Sequence, residues 1–76
     1  DSEDDIIDRI IDSEESMIIL KHLHNLSEPY KEVFTLRVLG SLTFSKIATI
    51  FGKTESWARV TFFRAKIMTK ESIENE

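Results

Sequence analysis

Seventy-six residues, 41% hydrophobic and 32% charged, make one small domain with enough apolar mass for a core. Apolar runs such as residues 17–20 stop at four, too short to cross a bilayer, and the absence of cysteine excludes disulfide staples and thiolate metal sites. The net charge of −4 divides unevenly: residues 1–26 carry eight acids against two bases, whereas residues 27–70 carry eight bases against three acids. A basic block behind an acidic lead-in points to a polyanionic partner despite the negative total.

In chain order, the lead-in places Ile6, Ile7, Ile10 and Ile11 on one face of a short helix and its acids on the other. Acidic Asp1 to Asp5 is the wrong charge for a secretory leader. The missing initiator methionine and the acidic ends suggest a piece of a longer protein. Ser13 is placed to cap the next helix, with Glu14 and Glu15 in its first turn and Met17, Leu20 and Leu23 forming an apolar stripe that Leu26 closes. Ser27-Glu28-Pro29 restarts a helix, with Ser27 as the cap and Pro29 inside the first turn. It runs through Val33, Phe34 and Leu36 to Gly40, which is expected in the left-handed position beyond the helix end.

Thr43 caps a two-turn helix with Ile47, Ala48 and Phe51 inward, ended by Gly52. Thr54 caps a longer helix from 55 to about 70, with Ala58, Phe62 and Ala65 on its buried face. Residues 71–76 show no face to bury and are expected to fray. The fold class is all-α, four to five helices, with residues 13–70 as the domain and 1–12 as an acidic linker.

Residues 43–66 carry the most specific pattern: a short helix, a glycine turn, then a basic helix, the arrangement of a helix-turn-helix. Alanine at position 48 lets the two helices cross closely, and Gly52 suits the positive φ of the turn. Such a second helix lays its N-terminal half against base edges in the major groove. Arg59 can pair bidentately with guanine O6 and N7, while Val60 and Phe63 offer apolar contact to a thymine methyl. Arg64 is within reach of bases or backbone. Lys46, Lys53, Thr54 and Ser56 cluster at two helix N-termini, where phosphate oxygens are favoured, and Arg37 and Lys66 are further phosphate candidates. For each basic residue the competing reading is a solvated charge. Trp57 either packs under the turn against Phe51 or lies on the DNA backbone, and Glu55 suits the first helical turn or accepts from cytosine.

The segments Leu26-Ser27-Glu28-Pro29-Tyr30-Lys31-Glu32-Val33-Phe34, Leu36-Arg37-Val38, Leu42-Thr43-Phe44-Ser45-Lys46-Ile47-Ala48 and Trp57-Ala58-Arg59-Val60-Thr61-Phe62-Phe63-Arg64-Ala65-Lys66 resemble region 4 of bacterial sigma factors. They are most similar to the extracytoplasmic-function group, and the resemblance runs without a gap from 26 to 68. It implies a domain that reads the upstream (−35) promoter element, binds the flap of the RNA polymerase β subunit and is masked by anti-sigma factors. It also implies that Arg59, Val60, Phe63 and Arg64 form the base-reading face. Region 2, which melts promoters, has no counterpart here, so the resemblance makes this the C-terminal domain of a longer, cytoplasmic sigma factor.

Two other readings stand beside it: the DNA-binding domain of a response regulator, and a helical protein-interaction module whose basic face is incidental. The Ser27-to-Tyr30 start and the run from Trp57 to Lys66 favour the sigma reading. Cofactors are not expected. His22 and His24, two apart on a helix, point to different faces and make poor metal ligands, and no catalytic arrangement of Ser, His and Asp is visible. Phe44, Val60 and Phe63 leave apolar surface through which the isolated domain can self-associate.

Overall fold

The computed structural model describes residues 15–75, and among these it contains four helices and no strand. We label them α1 (Glu15–His24), α2 (Tyr30–Val38), α3 (Phe44–Phe51) and α4 (Glu55–Glu74). The isoleucine-bearing lead-in and the Ser13 cap lie outside the described residues. The long α4 is the spine, and each of the other three helices packs against it.

The core is built from small and large residues in alternation. Ala58, Phe62 and Ala65 of α4 are all buried, as their spacing predicts, and Val33, Phe34, Val38, Ile47, Ala48 and Leu23 close over them. Alanines at 48, 58 and 65 let the helices approach, and the Phe62 ring fills the space between them. Its neighbours are aromatic: the centroids of Phe34 and Phe44 are each 5.6 Å away.

Both threonine caps form as expected. Thr43 Oγ1 accepts from the Lys46 amide at 3.2 Å, and Thr54 Oγ1 accepts from the Trp57 amide at 3.0 Å. Each satisfies an amide that the first helical turn leaves without an intrahelical partner. Thr54→Ala is therefore expected to cost about 1 kcal/mol of stability. The check is urea unfolding, with a lower midpoint and an unchanged slope.

Four local expectations are corrected. Ser27 is not the cap of α2: the helix begins at Tyr30, the Ser27 carbonyl accepts from Lys31, and the Glu28 carboxylate takes the Glu32 amide at 3.0 Å. With the start displaced two residues, Pro29 stands just before the first turn and not inside it. Gly40 does not take the left-handed conformation; Ser41 does, at φ 55°. Glycine suits position 40 for a different reason, since a Cβ there would come within 2.7 Å of the Leu36 carbonyl oxygen. Met17 stands 68% exposed, off the inward stripe, which instead runs through Ser16, Ile19, Leu20 and Leu23. Finally, α4 continues past 70 to Glu74, where Ile73 is half-buried and Ser72 Oγ meets His22 Nδ1 at 2.7 Å. That bond pins the last turns of α4 to α1, so this stretch does have a face to pack.

Candidate nucleic-acid interface

The turn between α3 and α4 sets the geometry of the site. Gly52 sits in the left-handed conformation (φ 66°, ψ 34°), and the Lys53 amide donates back to the Ala48 carbonyl at 2.9 Å. A side chain at position 52 would meet no atoms, so glycine is demanded there by backbone conformation and not by space. The turn delivers Lys53 and Thr54 directly to the start of α4. Trp57 is half-buried and packs on Phe51, ring centroids 5.1 Å apart, which braces the turn from beneath. Lys53 Nζ lies 6.0 Å from the Trp57 ring, at the edge of cation–π range.

Along α4 the inward residues at 58, 61, 62 and 65 leave the opposite face open. Ser56, Arg59, Val60, Phe63 and Arg64 are all exposed on it, with Val60 at 47% and Phe63 at 40%. Two large apolar side chains standing in water between two arginines suit a surface that meets base edges better than a purely solvated one. Lys46 and Lys53 are exposed at the N-terminal ends of α3 and α4, and Lys66 is exposed one turn beyond Phe62, its Nζ 5.3 Å from the Phe63 ring. The remaining first-turn amides at the positive ends of the two helix dipoles, with the two lysines, form a positively polarised rim beside the exposed face.

Arg59 is held loosely. Its guanidinium lies 3.7 Å from the Glu55 carboxylate, one helical turn back, and 5.2 Å from the Phe44 ring. Both partners of the ion pair are about half exposed, so the pair is worth only tenths of a kcal/mol. Such an arginine is pre-positioned yet free to exchange its carboxylate for another acceptor. Arg37 differs from the other basic candidates. It is half-buried, donates from Nη1 to the Leu42 carbonyl at 3.0 Å and stacks 4.4 Å over Phe44. Arg37 thus sits in the last turn of α2, its guanidinium tied to the α2–α3 bend and sharing the Phe44 ring with Arg59.

Phe44 is the residue that sequence reasoning undervalued. Read there as a helix start with apolar surface, it is the platform beneath both Arg37 and Arg59 and touches Phe62 and Phe63. An aromatic at the first position of α3, directly after the Thr43 cap, was the available sign. No group of three or more His, Asp or Glu capable of holding a metal occurs among the described residues. None of the described helices is long and apolar enough to cross a membrane.

Residues 16–68 match the family model described as Sigma-70, region 4. The chain belongs to this family. The match spans all of α1 to α3 save the first residue and most of α4, and it includes every exposed residue of the face just described. Sigma-70 region 4 is a helix-turn-helix, DNA-binding and regulatory rather than catalytic, that serves promoter recognition in transcription initiation. Searches of curated proteins and of solved structures return no match to the chain.

Proposed function

We propose that this region 4 domain reads the −35 promoter element by laying the first half of α4 in the major groove. In this reading Arg59, Val60, Phe63 and Arg64 meet base edges, while Lys46, Lys53, Thr54, Ser56 and Lys66 fix the register on phosphates. Arg37 braces the α2–α3 bend instead of reaching DNA. The single observation that carries the reading is the exposed α4 face, with two apolar side chains between two arginines immediately beyond a capped helix start.

The proposal extends to two protein partners. RNA polymerase core, through its β flap, supplies the second anchor that a domain of this size needs, and an anti-sigma factor would mask the same surfaces. A cytoplasmic location, and a sigma factor of the extracytoplasmic-function kind, accord with this reading.

A salt titration of duplex binding tests the reading against a protein-interaction module. Each phosphate contact contributes about 0.9 of a log–log unit, so Lys46, Lys53 and Lys66 predict a slope of about −3. A flat dependence would overturn the assignment of this face to DNA.

A further inference from the structure

Behind the DNA-facing side of α4, an open apolar groove of about 580 Å³ runs between α1 and the second half of α4. Ile19, Phe63, Ile67 and Ile73 wall it, Lys66 and Lys70 stand on its rim, and Glu74 is the acid at its far end. Ile67 is 57% exposed, which leaves a strongly apolar trough facing water. Phe63 and Lys66 belong to both surfaces, so whatever fills the trough borders the DNA face.

We propose that residues 1–14 of this chain dock in the groove, with the isoleucines against its walls and the carboxylates toward Lys66 and Lys70. Three features of the molecule favour this occupant. The sequence pattern matches: Ile6, Ile7, Ile10 and Ile11 form one helical stripe, and Asp5, Asp8 and Asp12 stand off it. The charges are complementary, because residues 1–14 hold seven acids and one base while the groove's rim holds two lysines. The connection is direct, since the segment runs straight into Glu15 at the start of α1, and Ile19 one turn later is already a groove wall. A tether this short gives the segment a high effective concentration at the groove. The length also fits: a helix over residues 4–13 spans about 15 Å, the same as α4 between Phe63 and Ile73.

The chain has no cysteine, so Arg9→Cys creates a unique attachment point that leaves every acid and isoleucine in place. A nitroxide on this cysteine in the full, isotope-labelled chain is expected to broaden the amide signals of Phe63, Ile67 and Ile73. Those of Gly52 and Thr54 at the far end of α4 should keep their intensity. Adding Ile67→Glu at the exposed wall should restore the lost signals while the remaining spectrum still reports a folded domain. Unbroadened signals from 63 to 73, or broadening that survives Ile67→Glu, would overturn the proposal. So would broadening passed from spin-labelled chains to isotope-labelled, spin-free ones in a mixture, since that assigns the groove to a second copy.

Discussion

Phe62→Ala is expected to lower the stability of the fold by about 3–5 kcal/mol. The ring is 1% exposed, lies within 5.7 Å of three other aromatic centroids, and is flanked on its own helix by Ala58 and Ala65, which cannot expand into the space it leaves. Truncating such a side chain costs about 3–5 kcal/mol in lost transfer energy and residual cavity. A domain of this length is stable by roughly 4–11 kcal/mol, so the loss consumes much or all of the margin. Helical circular dichroism through a urea titration checks it. Phe63→Ala, one residue along but 40% exposed, should shift the midpoint far less.

Arg59→Ala is expected to cost about 1–3 kcal/mol on the preferred duplex and to relax selectivity at one base pair. The folded state loses little by the change, because the ion pair with Glu55 is solvent-exposed and Phe44 keeps its other neighbours. Lys53→Ala should instead weaken all duplexes about equally and lower the salt slope by about one unit. Fluorescence anisotropy on a small panel of duplexes separates the two behaviours. Equal losses for both variants on every duplex would remove the distinction between reading and positioning residues.

The parts of the fold that were legible in the sequence are those governed by local chemistry. Thr43, Gly52 and Thr54 mark a helix start, a left-handed turn and a second start because hydroxyl capping and positive φ are decided within four or five residues. The Ala58, Phe62, Ala65 stripe is nearly as plain, since Arg59, Arg64 and Lys66 beside it fix its phase. Residues 17–20 give no such contrast: with four consecutive apolar positions the phase of α1 is set by what it packs against, so the sequence suggests Met17 for the inward position that Ser16 takes.

Gly40 illustrates a second limit. Its glycine answers a close approach to the Leu36 carbonyl four residues back, while the positive φ falls one residue further on, at Ser41, so the sequence marks the right turn at the wrong residue. Arg37 is a third case. Its acceptor, Leu42, and its stacking partner, Phe44, come after the bend, so by sequence it resembles any surface base near a DNA site. The end of α4 likewise meets a distant partner, since Ser72 bonds to His22, fifty residues earlier. For the candidate interface, the exposed face of α4 was legible from periodicity, but the Phe44 platform that orients it was not.

Whether α4 reads base sequence is decided by selection from a pool of random duplexes at one fixed, moderate salt concentration. One short motif should be enriched, with a single position in it losing its preference when the selection is repeated with Arg59→Ala. Retention of duplex DNA by the domain while the recovered pool stays random would contradict base reading by α4.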